Sequence, residues 1–127
     1  MQAFAKNFGT PGGRTSFPHG FEDVIDVMGV PVGRLTLEPG WRWSNDVRPL
    51  MGSESCTLVH AGYCLSGRLH VELDDGRTLD IGTDELYQIP PGHDAWVVGS
   101  DPCRLLDWGG KVHEYAEPVA GATGGTR

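Results

Sequence analysis

The stretch RLHVELDDGRTLDI, residues 68–81, decides the fold. Leu69, Val71 and Leu73 alternate with His70 and Glu72, the period of two that a strand with one buried face requires. Asp75-Gly76 is a tight-turn pair, and Leu79 and Ile81 resume the apolar face beyond it. The segment reads as a β-hairpin that lays one face on a core.

Runs of the same kind lie on both sides of it: VIDVMGV (24–30), VGRLTLEPG (32–40), CTLVHAGYCLSG (56–67), ELYQIPPG (85–92), AWVVG (95–99) and CRLLDWGG (103–110). Short β-branched and apolar runs between turn signals are the rhythm of a sandwich or barrel. Nineteen Gly and nine Pro in 127 residues leave few gaps for a helix. The expected class is all-β with few or no helices. No internal period supports a solenoid or a propeller.

Composition narrows the function classes. A chain of this length fits one domain, and 39% hydrophobic residues suffice for a real core. The formal charge of −7, with Lys and Arg scattered, argues against a nucleic-acid partner. No run of eighteen apolar residues exists, so no transmembrane helix and no membrane partner are expected. Three Cys is an odd count, and the start MQAFAKNFGT lacks the features of a secretory signal. The thiols are therefore expected to be reduced and the protein cytoplasmic. Residues 1–15 read as a flexible N-terminal arm, 16–115 as the folded domain, and the Gly-rich 116–127 as a disordered tail.

The order of the pieces, over roughly residues 32 to 108, resembles the cupin superfamily, and within it a group of small single-domain bacterial cupins. The likeness rests on the strand ending in Ser66-Gly67, the hairpin turning at Asp75-Gly76, and IPPGHDAW (89–96). It implies a double-stranded β-helix, a jelly-roll barrel, with a divalent metal inside. Cupins carry a first motif of Gly, His-x-His, Glu and Gly, and a second of Gly, Pro-x-Gly, His and Asn. Anchoring the first on Gly67 places His60 at the family's Glu, Cys56 at its second His and Glu54 at its first. Arg48 then stands where the leading Gly is expected. Anchoring the second on Pro90 and Gly92 puts Ala95 at the usual fourth ligand, Asp84 at the leading Gly and Gly99 at the Asn. The metal motifs are thus altered.

Glu54, Cys56, Leu58 and His60 lie two apart and would share the inward face of one strand. A carboxylate, a thiolate and an imidazole suit Zn, Fe, Ni or Cu, and three protein ligands leave a position open to substrate. The plainer alternative is a small hydrophobic Cys and a hydrogen-bonded interior His. His93 is a further metal candidate, or else a surface or outer group paired with Asp94. His19, in FPHG, caps a mouth of the barrel, contacts a partner subunit or is structural, and His70 is expected to face solvent or a neighbouring sheet. Trp41, Trp43, Tyr63, Tyr87, Trp96 and Trp108 are pocket walls or core, with one of Trp41 and Trp43 expected inward and the other outward.

No nucleophile elbow and no phosphate loop occur, and Asp74-Asp75 belongs to a turn. Two functions stand. One is a cupin that binds a divalent metal and a small organic molecule, as an oxygenase, isomerase or lyase. The other is a metal-free small-molecule binding or sensing module. The resemblance also implies a homodimer.

Overall fold

The computed structural model describes residues 1–9, 13–51 and 59–109. In chain order its elements are β1 (Arg14–Phe17), β2 (Gly20–Val27), β3 (Val30–Leu37), α1 (Trp43–Asp46), α2 (Arg48–Met51), β4 (His60–Ser66), β5 (Leu69–Leu73), β6 (Thr78–Ile81), β7 (Leu86–Ile89), β8 (His93–Val97) and β9 (Cys103–Asp107). The two helices have four residues each, in keeping with an all-β chain. The first strand opens at Arg14, and residues 110–127 lie outside the described residues.

The hairpin of 68–81 forms as β5 and β6, with Leu69 opposite Ile81 and Val71 opposite Leu79. Its turn closes through Leu73 N–H donating to Arg77 O at 2.8 Å, and the Asp75 carboxylate accepts from Arg77 N–H. A second hairpin joins β2 to β3 through Met28-Gly29. Both residues have positive φ, 53° and 82°, the backbone that two-residue hairpins need for their twist. Gly29 takes it at no steric cost; Met28 does not.

Two antiparallel sheets result. One has six strands in the order β1-β2-β3-β9-β4-β7, the other three in the order β6-β5-β8. Their facing sides make the core: Leu37, Cys64, Tyr87, Ile89, Cys103 and Leu105 from the large sheet, with Leu69, Val71, Ile81, Ala95 and Val97 from the small one. Leu37, Val71, Cys64 and Cys103 are fully enclosed. Burying an aliphatic side chain of this kind contributes about 1.5–3 kcal/mol.

Trp41 and Trp43 correct the sequence reading, because both are buried, at 5% and 6% exposure. Arg42 makes an isolated antiparallel bridge to Trp96 in the small sheet, and Val97 N–H donates to Trp41 O. Arg42 is extended at this bridge and lies outside over the Trp96 ring, while the indole before it and the one that opens α1 are both buried.

Candidate functional site

Register determines which side chains meet inside. Gly33 of β3 and Gly62 of β4 flank Asp107 of β9 on either side, and Tyr87 of β7 stands opposite Gly62. Glu22 of β2 lies on the same inward face, opposite Leu35. The row works because two of its members have no side chain. A Cβ on Gly33 would collide with Glu22 Oε2, and one on Gly62 would meet the Leu106 carbonyl and lie 2.5 Å from the Tyr87 hydroxyl. Isolated glycines inside strands mark such close approaches.

Around this row gathers a polar cluster. The Tyr87 hydroxyl is 2.8 Å from Asp107 Oδ2, and His60 Nδ1 is 3.1 Å from the same oxygen. Burial, and then the neighbouring Asp107 charge, push the Tyr87 phenol well above its ordinary range, which keeps it a donor. Burial likewise raises the Glu22 carboxyl, reinforced by Asp107 and opposed by His60.

His93 completes the arrangement from the other sheet. It is the first residue of β8, sharing its inward face with Ala95 and Val97, and is only 3% exposed. Its Nδ1 lies 2.8 Å from Pro90 O. A carbonyl can only accept, so Nδ1 carries a proton, and in the neutral ring the lone pair is on Nε2. The expected pairing with Asp94 is not formed. Strand alternation turns Asp94 outward, where its carboxylate takes Ser44 N–H and Arg42 Nε.

The His60 and His93 rings meet edge to face with centres 5.2 Å apart. An imidazole nitrogen binds zinc at about 2.1 Å with its ring centre roughly 1.1 Å beyond, so two rings on a tetrahedral ion have centres about 5 Å apart. The two ring centres lie at about that separation. Glu54 and Cys56 lie outside the described residues, and among the described residues no three His, Cys, Asp or Glu cluster as a metal site.

The remaining candidates are elsewhere. His19 Nδ1 bonds Asp46 Oδ1 at 3.1 Å, and the same carboxylate accepts from Arg42 N–H, so His19 ties the β1–β2 turn to α1. His70 lies on the outer face, against Trp96 and bonded to Asp80. Tyr63 points outward to Asp84. Among the described residues Tyr87 is the aromatic that reaches the polar cluster. Glu22 and Asp107 were missed by the sequence reading.

The sequence matches no protein-family model and no curated protein. Solved structures do match its fold. Ectoine synthase from P. lautus aligns with a TM-score of 0.64 at 13% identity, over 91% of this chain and 86% of that one. The polyketide cyclase RemF from Streptomyces resistomycificus aligns at 0.60 and 18%, over 86% and 79%. The Schizosaccharomyces pombe Cnp3 cupin domain aligns at 0.56 and 11%, over 87% and 76%.

The fold is that of a small cupin.

Within the cupin barrel, His60 stands on the large sheet and His93 on the small one, so the candidate site spans the interior. At these identities the likeness speaks for the fold alone, and function has to come from the site.

Proposed function

We propose that this cupin binds a divalent metal ion and a small organic molecule inside its barrel and acts on that molecule. The observation that carries the proposal is the convergence of His60 and His93 from opposite sheets, at a separation suited to one ion. His60 and His93 would hold the metal through Nε2, with Glu54 and Cys56 completing the set. When bound, the metal would supply Lewis-acid or oxygen-activating chemistry of the kind found in oxygenases, isomerases and lyases.

The chain's own groups have separate tasks. Tyr87 and Asp107 hold the His60 ring through Nδ1. Glu22, raised by burial, is a carboxyl poised to give or take a proton on the β2 side of the cluster.

Elemental analysis of protein purified without a histidine tag, then dialysed against zinc, tests this. The proposal expects close to one metal per chain in the wild type and almost none in His60→Ala and His93→Ala. Equal metal in all three would refute it.

A second reading, a metal-free small-molecule binding or sensing module, draws support from Ala95. It is buried on the inward face of β8 where the family places its fourth ligand. Native mass spectrometry separates the two, a bound organic molecule without metal favouring the second. Both readings take the protein as cytoplasmic and homodimeric. Cys64 and Cys103 as free thiols support a reducing compartment, and size-exclusion chromatography with light scattering tests the dimer.

A further inference from the structure

Most buried polar side chains in this barrel are paired. Asp46 takes His19 and the Arg42 N–H, His93 meets Pro90 O, and the Tyr87 hydroxyl meets Asp107. Among the described residues two enclosed side-chain nitrogens have no acceptor, Arg34 Nε and Trp41 Nε1. Arg34 keeps a quarter of its side chain exposed, and Asp23 lies 3.6 Å from its Nη2. Trp41 is different: it is 5% exposed and belongs to the core cluster with Leu37, Trp43, Leu69 and Val97.

An indole N–H can only donate, and a donor taken out of water without an acceptor carries the full cost of its desolvation. The backbone is not free to swing the ring outward. Trp41 N–H donates to Glu38 O at 3.0 Å, Trp41 O accepts from Val97 N–H at 3.1 Å, and the next N–H, of Arg42, is fixed by Asp46. A fixed, buried donor without a protein acceptor is what a binding pocket keeps for its ligand.

We propose that Trp41 is a ligand-binding residue whose indole N–H donates to a neutral acceptor oxygen, a carbonyl or hydroxyl, of the organic molecule inside the barrel. This rests on the small-molecule half of the function proposed above and not on the metal. Two observations set the neutral class. No Lys or Arg of the described residues is buried, and Glu22 and Asp107 already bring carboxyl groups to the interior cluster. A carboxylate at Trp41 would find one neutral donor and no cation, so its lost hydration would go largely unreturned. A carbonyl needs only the one bond. Val97, whose N–H Trp41 receives, closes β8, and His93 opens it, four residues or about 13 Å away. Trp41 is thus anchored at the end of β8 away from His93, and holds a part of the molecule remote from the histidine pair.

The experiment is nitrogen–proton NMR of the four indoles in the full chain, on the wild type and Trp41→Phe. The probes are cyclohexanone, its isostere methylenecyclohexane, and cyclohexanecarboxylate. Cyclohexanone should move the Trp41 N–H signal downfield, and the other two should not. Trp41→Phe keeps an apolar ring and loses the donor, so it should bind cyclohexanone about 10-fold more weakly and methylenecyclohexane as the wild type does. A Trp41 N–H signal that stays in place while cyclohexanone shifts the Ala95 and Val97 amides would overturn the proposal and leave the small-molecule reading intact. So would equal cyclohexanone affinity in the two proteins, or an equal response of the indole to the carboxylate. If cyclohexanone shifts neither the indole nor those amides, the small-molecule reading fails and the proposal with it. If Trp41→Phe does not fold, the wild-type indole response to the three probes decides alone.

Discussion

Replacing Gly62 with alanine adds one methyl group at the tightest point of the site. The new carbon would collide with the Leu106 carbonyl oxygen and lie 2.5 Å from the Tyr87 hydroxyl and 2.8 Å from Cζ of the same ring. The carbonyl belongs to β9, paired on both sides, so the strands must shift as well as the Tyr87 ring. Overpacking of this kind costs about 1–3 kcal/mol. Displacing Tyr87 also strips Asp107 of a hydrogen bond, worth about 1.5–3 kcal/mol where one partner is charged. The stiffer unfolded chain returns only about 0.4–1 kcal/mol. The net expectation is a loss of about 2–5 kcal/mol, a fall in Tm of roughly 8–20 °C for a domain of this size. Urea titration and thermal melting by circular dichroism measure it. The control is Gly9→Ala on the N-terminal segment, expected within about 0.5 kcal/mol of wild type. If Gly62→Ala melts within about 2 °C of wild type, Tyr87 is not packed over Gly62 and its hydrogen bond to Asp107 does not depend on that glycine.

Acid should expose the outer face of the large sheet. Asp23 is buried there between Arg14, at 2.8 Å, and Arg34, at 3.6 Å. The Arg14 hydrogen bond, and then the charges of Arg14 and Arg34, hold its carboxyl below the ordinary range. A lowered folded pKa gives stability that is present above the unfolded value, near pH 4, and is lost as pH falls through the folded value. Melting temperature should therefore drop in the wild type below about pH 4, and Asp23→Asn should be less stable at neutral pH with a flatter acid limb; parallel limbs in the two proteins would contradict this. Thiol chemistry gives a second check. Cys64 and Cys103 are fully buried, and burial pushes the Cys103 thiol up to about 12 and the Cys64 thiol in the same direction. Native protein at pH 8 should expose no more than one of its three thiols to Ellman's reagent, and all three in denaturant. Rapid native labelling of the peptides holding Cys64 or Cys103 would go against the packing described.

What could be read from the sequence was whatever depends on local period. The 68–81 hairpin, the inward face of His60 and the shared face of His93 and Ala95 all follow from alternation, and the structure has each of them. Trp41 and Trp43 were misjudged because the chain turns from an extended residue, Arg42, straight into α1 at Trp43, a local change that strand alternation does not foresee. His93 was misjudged as a partner of Asp94 because neighbours in a strand point apart. Glu22, Asp107 and Tyr87 meet only through the register of five strands, and register between distant strands is set by the whole pattern of packing. Two local signs of the cluster did exist. Gly33 and Gly62 interrupt otherwise apolar strands, and Asp107 follows Cys103 and Leu105 on the face that should have been apolar.

The central claim is that His60 and His93 hold one ion between the sheets. Crystals of the untagged protein equilibrated with zinc, measured on both sides of the zinc absorption edge, test it most directly. The account predicts one anomalous peak about 2.1 Å from Nε2 of both rings. A map with no peak there, or with zinc bound through Nδ1 of either ring, would contradict it.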